Sequence, residues 1–410
     1  MNIVRNIIMQ KKDLSREWLA RSQNVLAQGY PSTNSKRWTH FVKGVFPTHT
    51  HGDGTGPYLW DTQGVRYLDF ICGLGAISLG YSNQRVCEAV IRQASRGSSH
   101  SLPTTLEVEV AERISSIFQD AERIRFFKNG DDATRAAVRI ARTYTNRTLV
   151  LSDGYHGCSD LWTSLTEPAL GVKDKFDIRP LNGLEDQITQ LKPAALIVEA
   201  LKLSDGADYQ QYLTRIRAEC RKVGTLFIMD EIVTGCRVPK WSISNAWDLR
   251  PDLICLGKGI ANGWPLSAIG GHKDIMNCGE YFLSTTFGGE ATSLAACMAT
   301  LTELERRSFA DLIFYGKRLL KNLNELIPEV KWEGWGSRAQ LNLEEEKSCL
   351  FIQEMCKAGF LFGRAFFYNF AHLESNIDQL VMNLAEKTAT AIKAGKVKLE
   401  GERPSFSFKR

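Results

Sequence analysis

Short, nearly continuous apolar runs recur through the middle of the chain, and segments with helical periodicity separate them. The runs cover residues 148–152, 194–199, 225–230 and 253–256. Such runs are typical of strands covered on both faces, as in a mostly parallel sheet. We therefore predict an α/β fold with its functional groups at the carboxyl ends of these strands.

Two of the intervening segments have the spacing of amphipathic helices. The first is expected to begin near Asp208, a possible N-cap, and to end at Gly224. Its predicted apolar face comprises Tyr209, Leu213, Ile216 and Cys220. The second helix has the same spacing at Ala133, Ala137, Ile140 and Tyr144.

The two ends of the chain differ from the middle. Residues 56–70 predict a hairpin with its turn at 61–64, and residues 351–359 and 374–394 predict helices. These patterns favour a smaller α+β domain beside the α/β domain. We predict an N-terminal segment that packs with the small domain, a large domain and a C-terminal small domain, at residues 1–75, 76–305 and 306–410.

Composition narrows the classes of partner only slightly. The chain has 410 residues, 43% of them hydrophobic, and a net charge of +5 without a basic run, which does not favour nucleic acid. The ten cysteines include no CxxC pair, and no apolar run approaches the roughly 18 residues of a spanning helix. Residues 1–14 are too short and interrupted for a signal peptide. We expect a cytoplasmic protein with no membrane partner and no metal site.

Polar or glycine-containing motifs follow four of the predicted strands. Asp230 ends one apolar run, Lys258 follows another by two residues, and Gly130 opens a helix after a strand at 125–127. A Tyr-His-Gly motif at residues 155–157 follows the strand at 148–152. Because parallel strands end at one edge of a sheet, we expect these groups to converge there.

Pyridoxal phosphate chemistry requires such a set. It needs a lysine that forms a Schiff base, a carboxylate that keeps the ring nitrogen protonated, an aromatic face and a cradle for the phosphate. A helix N-terminus with glycine suits the phosphate, because free N–H groups and the helix dipole point at it. Each residue taken alone is weak evidence for a cofactor site. An aspartate after a strand is usually a turn or cap residue, and a histidine such as His156 is more often a polar loop residue than a ligand.

Several ordered motifs strengthen this interpretation. The sequence Met-Asp-Glu-Ile-Val-Thr-Gly-Cys-Arg at residues 229–237 resembles the Asp-Glu-Val-x-Thr-Gly-Phe-Arg motif of the class III aminotransferases. The chain is similar to the glutamate-1-semialdehyde aminomutase branch of that family from about residue 25 to about residue 395. Further similar motifs lie at residues 129–133, 154–157, 257–271, 284–291 and 369–378.

The resemblance implies a PLP-dependent transferase of fold type I and a role for each matching residue. Lys258 would be the Schiff-base lysine and proton shuttle, and Asp230 would pair with the ring nitrogen. Tyr155 would stack on one ring face and Ile232 would pack on the other. The remaining cofactor-binding residues implied are Gly130, Asp131, Glu199 and Thr286, the last reaching the phosphate of a neighbouring subunit in a homodimer with shared active sites.

Three positions depart from the family pattern. Asp131 replaces Ser or Thr, Ala200 replaces Pro, and Glu290 replaces Asn. A carboxylate at 131 that points inward would weaken phosphate binding, so we expect it to turn away or cap the helix. The pattern assigns no arginine to a substrate carboxylate.

The resemblance implies a PLP-dependent aminotransferase that moves an amino group from an amino-acid donor to an aldehyde or ketone. Its acceptor would be an amino-sugar or secondary-metabolite intermediate. An intramolecular aminomutase or an epimerase on the same scaffold is the alternative. A binding protein that has lost catalysis is disfavoured by Lys258 and Asp230, and a doubly wound enzyme with a nucleotide ligand is the fallback if the resemblance fails.

Overall fold

A seven-stranded sheet forms the centre of the molecule. The computed structural model describes residues 14–27, 41–165, 171–172, 176–181, 186–199 and 207–404. Within them the strands are β1 (Gly54–Thr55), β2 (Tyr58–Trp60), β3 (Arg66–Asp69), β4 (Arg123–Phe127), β5 (Val150–Asp153), β6 (Ile178–Pro180), β7 (Ala195–Glu199), β8 (Leu226–Asp230), β9 (Leu253–Leu256), β10 (Ser267–Gly271), β11 (Trp332–Trp335), β12 (Arg338–Leu341), β13 (Phe360–Leu361) and β14 (Ala365–Phe367).

The helices of the described residues cover the strands. They are α1 (Leu14–Val25), α2 (Cys72–Gly75), α3 (Gln84–Ala94), α4 (Thr105–Ile117), α5 (Gly130–Thr145), α6 (Asp160–Thr163), α7 (Asp186–Leu191), α8 (Ala207–Val223), α9 (Ile243–Trp247), α10 (Lys273–Met276), α11 (Ala291–Glu305), α12 (Phe309–Leu326), α13 (Glu346–Lys357), α14 (Phe370–Glu374) and α15 (Asp378–Lys393). Among the described residues, 3-10 helices also lie at Pro239–Trp241 and Lys258–Ala261.

The central sheet has the strand order β4-β10-β9-β8-β7-β5-β6. The five strands from β9 to β6 are parallel, whereas β10 is antiparallel to both of its neighbours. Strands β7, β8 and β9 are almost entirely buried, which explains why their sequences are continuous apolar runs rather than alternating ones. The predicted α/β fold with a mostly parallel sheet is confirmed.

Two smaller sheets lie outside the central one. The first has the order β1-β2-β3-β13, and its β13 is parallel to β3, so it joins the N-terminal hairpin to the C-terminal part of the chain. The second has the order β11-β12-β14 and is antiparallel. We keep the three-part division of the chain as a proposal, which this pairing supports.

The helix predicted at 374–394 is divided in the structure. It consists of the end of α14 and of α15, with a break at residues 375–377. The break occurs because Asn376 has a φ of 50°, in the left-handed region that ends a right-handed helix. Tyr144, predicted on the apolar face of α5, is instead 47% exposed.

None of the helices in the described ranges is long and apolar enough to cross a membrane. No group of three or more metal-ligating side chains occurs in the same ranges.

Candidate active site

Two acidic residues end adjacent parallel strands. Glu199 of β7 and Asp230 of β8 are partners in the strand register, so both lie at the carboxyl edge of the central sheet. The pKa of Glu199 is raised, first by burial and then by the negative charge of Asp230. A hydrogen bond from the Tyr155 backbone N–H to Glu199 Oε2, 2.9 Å long, opposes this rise. The sheet therefore places two carboxyl groups of different environment side by side.

Lys258 begins the 3-10 helix that follows β9, and its φ is 44°. Burial lowers the pKa of its ammonium group, while the carboxylates of Glu199 and Asp230 oppose that change. Electrostatic contact with both carboxylates shows that Lys258 lies at the same edge of the sheet. A lowered pKa favours the uncharged amine, which is the form that can accept a proton or attack a carbonyl.

Hydrogen bonds hold the lysine loop against a distant segment. Asn262 Oδ1 accepts from the backbone N–H groups of Ser78 and Leu79, at 2.9 and 2.8 Å. Ser78 Oγ donates to the carbonyl of Gly259 at 2.9 Å. Because these groups are buried, the bonds fix the position of the loop that carries Lys258.

His156 is bound to Asp230. Its Nδ1 lies 2.8 Å from Asp230 Oδ2, and both side chains are almost completely buried. A carboxylate only accepts, so Nδ1 carries the shared hydrogen. The carbonyl of His156 accepts from Thr134 Oγ1, which in turn accepts from the Trp162 indole N–H. This chain of bonds orients the Asp230 carboxylate.

The N-terminus of α5 lies beside these groups. A Cβ on Gly130 would lie 2.7 Å from Ile232 Cδ1, so only glycine allows the helix to approach Ile232 this closely. The first N–H groups of a helix have no partner within it. The start of α5 can therefore receive an anion at this edge of the sheet.

The Asp131 side chain lies against the 157–159 loop. Its Oδ1 accepts from Ser159 Oγ at 3.0 Å and its Oδ2 lies 2.9 Å from Arg135 Nε. A Cβ on Gly157 would overlap Asp131 Oδ1. The charge of Asp131 is thus balanced by Arg135, one helical turn further along.

Two residues of the 284–291 motif have very different surroundings. Thr286 is exposed on the loop between α10 and α11. Among the described residues, no hydrogen bond joins it to Lys258, Asp230 or Glu199. Glu290 caps α11 by accepting from the backbone N–H groups of Thr292 and Ser293, and it pairs with Lys128 at 2.9 Å. The departure from the family pattern at Glu290 therefore supplies a charged helix cap. Ala200, the other departure, lies outside the described residues.

The sequence profile described as Aminotransferase class-III matches residues 45–180 and 177–333 of the chain. The chain belongs to the class III aminotransferases. As a member of that family it is a pyridoxal-phosphate-dependent aminotransferase. The family resemblance expected from the sequence is confirmed.

Relatives within the family agree with the predicted branch. The glutamate-1-semialdehyde 2,1-aminomutase of Methanothrix thermoacetophila is 32% identical over 67% of this chain and 70% of its own length. The enzyme of that name from Wigglesworthia glossinidia brevipalpis is 31% identical over 83% and 88%. The solved structure of the FumI protein of Sphingopyxis sp. MTA144 has a TM-score of 0.83 at 21% identity, covering 95% of this chain and 98% of that one. This last likeness concerns the fold.

The residues of this class III aminotransferase fit its cofactor. A half-buried lysine, a buried carboxylate that a histidine orients, and the glycine N-terminus of a helix lie at one edge of the sheet. The lysine can bind an aldehyde, the carboxylate can hold a proton on a ring nitrogen, and the helix N-terminus can bind a phosphate. Gly130 itself presents no side chain at that N-terminus, where a Cβ would meet Ile232 at 2.7 Å.

Sequence reasoning missed two residues that shape this site. His156 was interpreted as an ordinary loop residue, because a lone histidine gives no periodic signal. Glu231 is fully buried and accepts from the backbone N–H and the hydroxyl of Ser244, both at 2.7 Å. Its position next to Asp230 in a family-like motif was the available signal for Glu231.

Two buried arginines also face the site and were not assigned from the sequence. The positive charges of Arg237 and Arg338 both act on the Lys258 ammonium and lower its pKa further. Arg237 follows β8 on the central sheet, whereas Arg338 begins β12 of the small antiparallel sheet. The site is therefore built from two sheets.

Proposed function

We propose that this enzyme transfers an amino group from an amino-acid donor to an aldehyde or ketone in two half-reactions. The observation that carries the proposal is the half-buried Lys258 beside Asp230, whose carboxylate His156 holds at 2.8 Å. When bound, pyridoxal phosphate supplies an electron sink for the charge left on the carbon that loses its proton. Lys258 would hold the cofactor and move that proton.

The other residues would bind and orient. Asp230 would keep a proton on the ring nitrogen, because its negative charge stabilises the protonated form. Ile232 would pack on one face of the ring and Tyr155 on the other. The N–H groups of Gly130 and Asp131 would bind the phosphate, and the contacts of the Asp131 carboxylate with Ser159 and Arg135 support this role.

The test is a half-reaction without a second carbonyl substrate. The holoenzyme is mixed with an amino donor alone and its visible spectrum is followed. Transamination predicts a stable shift to the amine form of the cofactor, with one equivalent of keto product in solution. A spectrum that no amino donor changes would contradict the proposal. We further propose an amino-sugar or secondary-metabolite intermediate as acceptor, because the chain departs from its family at Asp131, in the proposed phosphate site.

An intramolecular aminomutase is the second candidate. It is favoured by the relatives of this branch, which carry the name glutamate-1-semialdehyde 2,1-aminomutase at 31–32% identity. Such an enzyme converts one substrate to its isomer and requires no separate acceptor. Isomer formation from a single substrate, with no keto product released, would decide for this candidate.

We also propose a homodimer with shared active sites, in which Thr286 reaches the phosphate bound by the other subunit. Thr286 lies on an exposed loop of the protomer, beside the 56% exposed Phe287, which supports an interface there. Sedimentation of an active monomer would contradict this proposal. All ten cysteines are free thiols, which supports the proposed cytoplasmic location.

A further inference from the structure

Arg338 has a buried side chain that lacks a hydrogen-bond partner. The residue is only 8% exposed, and its Nε is buried without a partner among the described residues. Its neighbours Ala339 and Leu341 belong to the main hydrophobic core. Side chains alternate between the two faces of a strand. Ala339 and Leu341 therefore lie on the face that packs into the core, and Arg338 lies on the opposite face.

The charges around Arg338 place its guanidinium at the active site. The carboxylate of Glu199 is its largest favourable electrostatic neighbour, and Arg338 in turn acts on both Glu199 and Lys258. Burial lowers the pKa of Arg338 to about 10, with Glu199 opposing the change, so the group stays charged at neutral pH. No ion pair of the described residues includes Arg338, so Glu199 attracts the guanidinium without forming a salt bridge with it.

Arg237 provides the contrast. It is as deeply buried, at 3% exposure, but it donates to the carbonyl of Gly75 and lies over the ring of Phe367 at 5.2 Å. Arg237 therefore joins segments of the protein to one another. The Nε of Arg237 is also without a partner, so the contrast rests on its bond to Gly75. The Arg338 side chain makes no such bond among the described residues, although a buried charge without hydrogen bonds is costly and is seldom retained without a ligand.

We propose that Arg338 is a specificity-determining residue that binds the carboxylate of the amino-acid donor. This inference rests on the transaminase function proposed above and adds the residue that selects the donor. A guanidinium presents two parallel N–H groups that match a carboxylate, which makes it more selective than a point charge. Arg338 lies on the small antiparallel sheet, whereas Lys258 follows β9 of the central sheet. Arg338 can therefore bind the carboxylate of the donor while the amine of the donor lies near Lys258.

The experiment uses pairs of amines that differ only in the carboxylate. L-alanine is paired with isopropylamine, and 4-aminobutyrate with butylamine, each carboxylate being replaced by a methyl group. The single-turnover rate of the holoenzyme is measured from its spectrum. The wild type is expected to favour the acid of at least one pair by about tenfold to a hundredfold. In Arg338→Met this preference should vanish, with the rate for the uncharged amine retained.

Two further variants separate a direct contact from a general effect of charge. Arg338→Lys keeps the charge but loses the paired N–H groups, so an intermediate preference is expected. Arg364→Met removes a neighbouring positive charge on the same part of the chain and should leave the preference intact. If Arg364→Met removes the preference as fully as Arg338→Met, or if Arg338→Met keeps it, the assignment of Arg338 is wrong.

A binding measurement distinguishes failure of this inference from failure of the proposed reaction. Butyrate has the acid group and no amine, so it binds without turnover. Calorimetry of the holoenzyme should show butyrate binding that weakens at least about tenfold in Arg338→Met, with unchanged cofactor loading. Equal butyrate affinity in the two proteins would overturn the role of Arg338 even if transamination proceeds. If Arg338→Met loses butyrate binding but the wild type converts no amine, the proposed reaction is rejected and Arg338 remains the residue that binds the carboxylate.

Discussion

The two sheets that meet at the candidate active site contribute charged groups of different kinds. On the central sheet, Asp230 is held by His156 and Glu199 by the N–H of Tyr155. On the small antiparallel sheet, the Arg338 side chain is buried, and its Nε has no hydrogen-bond partner among the described residues. Groups that must keep one geometry through the reaction are fixed by the protein, whereas a group that waits for a ligand keeps its donors open.

The comparison separates residues that we propose are needed for every substrate from one, Arg338, that we propose selects among substrates. Changes on the central sheet should slow charged and uncharged amines alike. Changes at Arg338 should act on the ratio between them. The following variants test the first half of this statement, from the largest expected effect to the smallest.

Lys258→Ala is expected to have the largest effect. The variant loses the amine that is proposed to hold the cofactor and move the proton, so single-turnover rates should fall by at least about 10³-fold for both members of an amine pair. Lys273→Ala, at an exposed lysine that begins α10, is the matched control and should behave as wild type. Borohydride reduction followed by peptide mapping should place the label on Lys258, and label on another lysine would reject the assignment.

Asp230→Asn should have the next largest effect. The amide keeps the size of the side chain but removes the negative charge that would hold a proton on the ring nitrogen, so the rate should fall by roughly 10²–10³-fold. Cofactor loading, measured by absorbance, should persist. Near-normal turnover of both amine classes would show that this carboxylate does not act on the ring.

His156→Phe tests whether the orientation of Asp230 matters. The ring is kept beside Trp162, whose centroid lies 5.1 Å away, but the hydrogen bond to the carboxylate is lost. A hydrogen bond to a charged group contributes about 1.5–3 kcal/mol, so a slowing of roughly tenfold to a hundredfold is expected. His156→Gln, which can donate again, should recover part of the rate. If His156→Phe slows only the amines that carry a carboxylate, then His156 acts on substrate selection, as proposed for Arg338, and the contrast between the two sheets is wrong.

The sequence predicts the central sheet better than the rest of the site. The apolar runs predict where the buried strands lie. Because parallel strands end at the same edge of the sheet, the motifs that follow them lie together there, and Lys258 and Asp230 are close as expected. The catalytic and binding roles of these residues stay predictions. The break at Asn376 was missed because a single left-handed residue does not disturb the apolar spacing of the flanking helices.

Arg338 could not be predicted for a different physical reason. It lies on a different sheet from Glu199 and from the strand that precedes Lys258, and it is 139 and 80 residues away from these two residues along the chain. Neither strand periodicity nor a local motif encodes such a contact. Burial without a partner is a property of the folded chain alone. His156 is an intermediate case, since its position after β5 was visible but its partner on β8 was not.

Glu290 lies outside both sides of the site and should give the smallest effect, on stability only. Burial would raise its pKa, but hydrogen bonds from Ser293, Ser98 and Lys128 outweigh burial and lower it to about 2. A carboxylate whose pKa is lower in the folded state stabilises the fold above its unfolded pKa, near 4.3, and loses that contribution as the pH falls towards 2.

Glu290→Gln should therefore lower the free energy of unfolding by about 1–2 kcal/mol at pH 7, through a weaker helix cap and the lost pair with Lys128. Urea unfolding of wild type and variant should give a constant difference from pH 7 to about pH 5 and a shrinking one below that. Glu280→Gln, at an exposed residue of the same loop, serves as the control and should change stability little. The ratio of rates for acid and uncharged amines should stay that of wild type, because Glu290 acts on the helix and not on the donor. A changed ratio, or a stability difference that grows as the pH falls, would show that Glu290 belongs to the site.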